Sequence, residues 1–140
     1  MTFRSDVAAA IQSVAQTYAT ANPTLLKKVT RARPAGFGAT PHAYVGNRPE
    51  AINFTANIWQ RVIRPQLVVV AAATDNEEAM DRMDDLADAL LAAYSLVPHA
   101  ISGDTELRPI GVEDVEDQVG TVSYPGFAIT FEAIRQQGGL

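Results

Sequence analysis

No cysteine occurs among the 140 residues. That absence removes disulfides, thiolate zinc sites and cysteine nucleophiles at once, and it suits a reducing compartment. Histidine is nearly as scarce, with only His42 and His99. Acyl transfer through a histidine base needs a nucleophile and an orienting group held beside it. Here His42 lies in a stretch rich in proline and glycine, and His99 directly follows Pro98, so both are expected on surface loops. The chain has no H-x-x-x-H zinc spacing, no G-x-x-x-x-G-K-[ST] phosphate loop and no G-x-G-x-x-G dinucleotide fingerprint. Gly36-Phe37-Gly38 amounts to two glycines in a loop. Long apolar runs are missing too: the longest, Leu67 to Ala73, falls far short of the roughly 20 residues a transmembrane helix needs. At the N-terminus Asp6 interrupts any apolar core of a secretory signal, so the protein is expected to stay in the cytoplasm where it is made.

What is present describes one globular domain spanning 1–140. A 47% hydrophobic and 19% charged composition is in the globular range, and this length supports a single core. The net charge of −5 conceals a division along the chain. Before Pro65, eight basic residues face two acids, a surplus of six positive charges; after it, three basic residues face fourteen acids, a surplus of eleven negative ones. Either the halves pair within one subunit, or they supply unlike patches for a head-to-tail contact between copies.

Periodicity gives the elements. Val7, Ala8, Ile11, Val14, Ala15 and Tyr18 recur at steps of three and four, an amphipathic helix over residues 3–20 with Thr2 or Ser5 as N-cap and Asn22-Pro23 as its stop. Residues 25–32 read as a strand. From Arg33 to Phe54 the chain carries Pro34, Gly36, Gly38, Pro41, Gly46 and Pro49, which predicts a long mobile arm with only His42 to Val45 as a short strand. Residues 58–73 are the most apolar strand region, bent at Pro65. Asp75-Asn76-Glu77-Glu78 has capping-box spacing and opens a helix running to about Tyr94. Its core face is Met80, Met83, Ala87, Leu90, Leu91 and Tyr94, with Leu86 at the margin. Strands are expected at 107–112, 119–124 and 127–134, with Pro125-Gly126 as the last hairpin turn and a frayed tail over 136–140. This order lacks strict βαβ alternation. It predicts an α+β fold, two helices packed on a mainly antiparallel β-sheet.

The charged residues supply the candidate site. Glu77, Asp81, Asp84, Asp85 and Asp88 share one stripe of the second helix, and the like-charge pairs Asp81/Asp85 and Asp84/Asp88 each cost about 0.2–0.5 kcal/mol in an isolated helix. Such a stripe is either a solvated face or a surface for a basic partner; a straight helix cannot wrap a calcium ion. Glu113, Asp114, Glu116 and Asp117 read as a solvated turn. Lys27, Lys28, Arg31 and Arg33 form the basic counterpart. They are too few, and too poor in neighbouring aromatics, for sequence-specific nucleic-acid binding. The subunit-interface candidates are therefore Lys27, Lys28, Arg31 and Arg33 against Asp81, Asp84, Asp85 and Asp88. No catalytic, cofactor or metal residue is assigned, and no enzyme activity is expected.

Taken in order, the basic strand, the arm ending in Pro41-His42-Ala43-Tyr44-Val45-Gly46, the segment Arg64-Pro65-Gln66-Leu67-Val68-Val69-Val70, the helix with Asp84-Asp85-Leu86-Ala87-Asp88-Ala89-Leu90, and Tyr124-Pro125-Gly126-Phe127 resemble the tail terminator proteins of long-tailed bacteriophages. The likeness is one of pattern and order, from about Val7 to Ile134. It implies a structural virion protein at the tail-neck junction: a homo-oligomeric, hexameric ring that caps the tail tube, stops its polymerisation and meets the head-tail connector. The implied partners are the chain itself, the tube protein and the connector, with no cofactor and no membrane. Other phage neck or head-completion proteins share this size and composition. A cytosolic small-molecule-binding domain is the alternative from a different class.

Overall fold

The computed structural model describes residues 2–55, 58–72, 77–98, 101 and 105–138. In chain order the elements are α1 (Phe3–Ala21), β1 (Lys28–Thr30), β2 (His42–Val45), β3 (Glu50–Thr55), β4 (Ile58–Ile63), β5 (Gln66–Val70), α2 (Glu77–Ser95), β6 (Leu107–Val119) and β7 (Val122–Gly138). This is the α+β architecture expected: among the described residues, two helices lie on a seven-stranded sheet in which only the β1/β2 pair is parallel.

Thr2 caps α1 in a reciprocal box: the Ser5 amide donates to the Thr2 hydroxyl at 3.1 Å and the Thr2 amide to the Ser5 hydroxyl at 3.0 Å. Two orphan amides of the first turn are thereby satisfied. At the other end the Asn22 amide returns to the Tyr18 carbonyl. The buried stripe is Phe3, Val7, Ala8, Ala10, Ile11, Ala15 and Ala19, with Val14 and Tyr18 at its margin. On α2 the core face is Met83, Leu86, Ala87, Leu90 and Tyr94, while Met80 is 44% exposed. The expected face was therefore rotated slightly, with Leu86 inside and Met80 outside. The proposed cap at Asp75 and Asn76, and His99, lie outside the described residues.

β7 is the sheet's spine. Its residues from Gly126 to Thr130 pair with both β5 and β6, and Ala133 pairs with both Ile63 of β4 and Leu107 of β6. A strand has only two edges, so β4 and β5 must run end to end along one side of β7 while β6 lines the other. The Phe131 amide donates to the Pro65 carbonyl at 2.9 Å, bridging the joint between β4 and β5. The far side of that bent strand is followed by β2 and β3 in the same way. Gly46 donates to Gln66, Gln66 to Asn47, and Arg64 to Pro49, which carries the pairing from one strand to the next. Residues 42–55 and 58–70 thus form one long ribbon.

Both helices cover one face of this sheet and share a core with Leu67, Val69, Ile129 and Phe131. The opposite face carries a smaller cluster of Tyr44, Val68, Val70 and Ala128, sealed by Phe37 from the preceding loop. Phe37 packs edge-on to His42 and Tyr124, and stacks on Tyr44.

Five expectations need correction. The segment 33–54 is not a free arm: Phe37 is 8% exposed, and 50–55 is a strand as well as 42–45. Its prolines interrupt no ladder, since Pro49 contributes its carbonyl and Pro41 accepts from Lys27 just ahead of β2. The strand expected over 25–32 shortens to Lys28–Thr30. The final hairpin turns at Gly120, whose φ of 63° favours glycine, and not at Pro125-Gly126, which lie inside β7. A Cβ on Gly126 would sit 2.0 Å from the Val69 carbonyl oxygen, so glycine there permits β5 and β7 to approach. The acids at 113–117 belong to β6 rather than to a turn. Finally, 136–138 do not fray but pair with Ile58, Trp59 and Gln60.

Candidate functional site: two unlike surfaces

The basic candidates gather where β1 leaves the sheet. Lys28 opens β1, the outermost strand on that side, and both Lys27 and Lys28 are exposed. Arg31 reaches back to α1, its Nε donating to Gln12 Oε1 at 2.8 Å. Arg33 behaves differently. Its Nη2 donates to Asp117 Oδ1 at 2.6 Å and to the Gln118 carbonyl at 2.8 Å, while Nε shares the same carboxylate. Tyr44 donates its hydroxyl to the other oxygen of Asp117. Hydrogen bonding to Arg33 holds the Asp117 carboxyl below the usual carboxylate range. Burial, and then the bond to Asp117, raise the Tyr44 phenol. Arg33 is therefore a clamp between the 31–41 loop and β6, and not a free interface charge. Arg64 is similarly engaged by Glu132, which also binds Arg108. Part of the charge division is neutralised within the subunit.

Asp81, Asp84, Asp85 and Asp88 are all exposed on α2, and among the described residues the ion pair along this helix is Arg82 with Glu78 at 2.6 Å. α1 packs against β1 and β2, whereas α2 packs against β6 and β7. β1 and β6 are the two ends of the strand order β1-β2-β5-β7-β6, but the β6/β7 hairpin comes back to the basic loop: Arg33 and Tyr44 both reach Asp117, and Arg31 lines one cavity with Glu116 and Asp117. Lys27 likewise shares a cavity of about 280 Å³ with Glu78 and Arg82. Lys28 on β1 and Asp84 and Asp88 on α2 are exposed charges of opposite sign on different elements.

Asp84 also borders a cavity of about 410 Å³ between the first half of α2 and the β6/β7 hairpin. Asp114 and Glu116 reach it because alternate residues of β6 face the helices: Asp114 is paired with Phe127, whose side chain is in the helix-covered core. The cavity floor is apolar, with Met80, Met83 and Phe127. Among the described residues no group of three or more histidines, cysteines or carboxylates is arranged to hold a metal ion.

Two features escaped sequence reasoning. His42 is buried at 2% exposure, with Nε2 2.9 Å from the Thr30 hydroxyl and Nδ1 without a hydrogen-bond partner among the described residues. Burial, aided by Lys28, lowers its pKa and keeps the ring neutral. The second is an exposed apolar ridge: Ile52 and Phe54 on β3 are 58% and 67% exposed. The alternation Glu50-Ala51-Ile52-Asn53-Phe54 was its available signal, hidden by the surrounding glycines and prolines.

Compared with known proteins, the chain matches no protein-family model and no curated protein sequence.

Proposed function

We propose that this chain is a structural, non-catalytic subunit that joins copies of itself head to tail into a closed ring, as the resemblance to phage tail terminators implies. The single observation that carries the reading is the exposure of unlike charge on different elements: Lys28 on β1, and Asp84 and Asp88 on α2. Two unlike patches suit a heterologous contact, in which one surface of a copy meets a different surface of the next. In this reading the ring is a hexamer that ends a tail tube and presents a face to the head connector in the virion. Exposed ion pairs contribute only about 0–1 kcal/mol each, so charge sets register and encounter rate while apolar contacts hold the ring.

The test is sedimentation of the parent across salt, of Asp84→Lys with Asp88→Lys, and of that double variant combined with Lys28→Glu and Arg31→Glu. The double variant should lose assembly and the combined variant should regain part of it. Assembly indifferent to salt and to charge reversal would refute the charge-directed ring. Capping of isolated tail tubes by the parent, seen as an arrest of tube growth, tests the terminator role itself.

A further inference from the structure

The exposed ridge on β3 has no cover among the described residues. Cross-strand partners share a face of the sheet, so Ile52, Phe54, Trp59, Arg61 and Arg135 project from the same side of the β3, β4 and β7 extension. Ile52 and Phe54 stand out from it as large apolar groups. Their surroundings are positive. Arg61 and Arg135 both lie over the Phe3 ring, at 5.2 and 4.5 Å, and Arg4 joins Arg61 in pairing with Glu50, the one acid of this face among the described residues. Three arginines against one glutamate leave a positive rim.

The cavity beneath α2 is its complement. It has an apolar floor of Met80, Met83 and Phe127, a rim of Asp84, Asp114 and Glu116, and a volume of about 410 Å³, within the range of sites that enclose a small ligand or an aromatic anchor. Ridge and cavity are at opposite ends of the same ribbon. Phe54 pairs with Trp59 near one end, and Ala71, which lines the cavity, follows the other. From Trp59 to Ala71 is about 40 Å of extended chain. A subunit therefore cannot fill its own cavity with its own ridge.

We infer that the β3 ridge of one copy, led by Phe54, seats in the acid-rimmed cavity under α2 of the next copy. This rests on the ring reading, keeps its head-to-tail join and its acidic acceptor, gives that acceptor the arginine rim of the ridge as partner in place of Lys28 and Arg31, and supplies the apolar contact that the charges alone do not. The join is heterologous by construction, since donor and acceptor are different surfaces.

The absence of cysteine makes the test clean. A chain carrying Phe54→Cys and Met80→Cys, treated with a short bismaleimide, should give a ladder of covalent multimers. An equal mixture of the two single variants should stop at the covalent dimer. Phe54→Asp should weaken assembly at least tenfold in sedimentation with an unchanged melting curve, because the side chain is mostly solvent-exposed. Cross-linking of Phe54→Cys to itself, or to Leu96→Cys in the separate groove between the helix ends, in place of Met80→Cys would overturn the inference. So would a parent that assembles while the 54/80 pair stays uncoupled, and that result would leave the ring reading intact. A parent that remains monomeric at every concentration, even on isolated tail tubes, would overturn both.

Discussion

Tyr94 of α2 donates its hydroxyl to the Ile11 carbonyl of α1 at 2.6 Å, a hydrogen bond made entirely inside the core. The ring also packs against Phe131 of β7, with centroids 4.5 Å apart. One side chain therefore ties both helices to the spine of the sheet. Burial raises the pKa of this phenol and keeps it a donor at any working pH.

Removing only that hydroxyl, in Tyr94→Phe, should cost about 1–2 kcal/mol, the range for a lost buried hydrogen bond. Tyr94→Ala should cost more, about 3–5 kcal/mol, because a cavity opens beside Phe131. Urea unfolding of the two variants against the parent checks both values. Equal losses would mean that the hydrogen bond carries nothing beyond packing.

Gly126→Ala should be far worse than alanine at Gly111. A Cβ at Gly126 meets the backbone of Val69 at 2.0 Å, while at Gly111 nothing lies within 4 Å. Overpacking of a flexible side chain costs about 1–3 kcal/mol; displacing a paired strand should exceed that and yield an insoluble or unfolded product. Soluble yield and thermal melting are the measurements.

Stability should fall in two steps on acidification. His42 is held neutral in the folded state, so the unfolded chain takes up its proton first as pH drops below about 6.5. The stability it protects is present above that value and is lost as pH falls toward the depressed folded pKa. Asp117 follows lower down. Its contribution is complete above about 3.9, the ordinary aspartate value, and is lost as pH falls through the lower folded one. His42→Leu should flatten the first step in urea midpoints, and Asp117→Asn the second.

Both helices could be read from the sequence because α1 and α2 bury stripes at helical spacing, and local periodicity suffices for that. The 33–54 segment could not. Its glycines and prolines carry a strong loop signal, but Phe37 is held by Tyr44 and Tyr124, and Arg33 by Asp117. The contacts to Tyr124 and Asp117 join residues far apart in the chain, so no local window reveals them. The turn was misplaced for a related reason. Pro125-Gly126 looks like a turn, yet Gly126 answers to the approach of Val69 from a different strand. Of the candidate charges, the α2 aspartates and Lys28 are exposed as expected, whereas Arg33 is consumed by a partner that only the folded sheet brings near.

The position of β7 has a consequence for how the chain reaches this state. β4, β5 and β6 all pair with β7, yet every one of them precedes it in sequence and leaves the ribosome earlier. Until β7 emerges, the 58–70 ribbon has an open edge and β6 has no neighbour, so contact order is high and closure comes late. Folding should therefore wait for β7 and be slow for a domain of this size, and the apolar stretch Leu67 to Val70 lies along the edge left open until then.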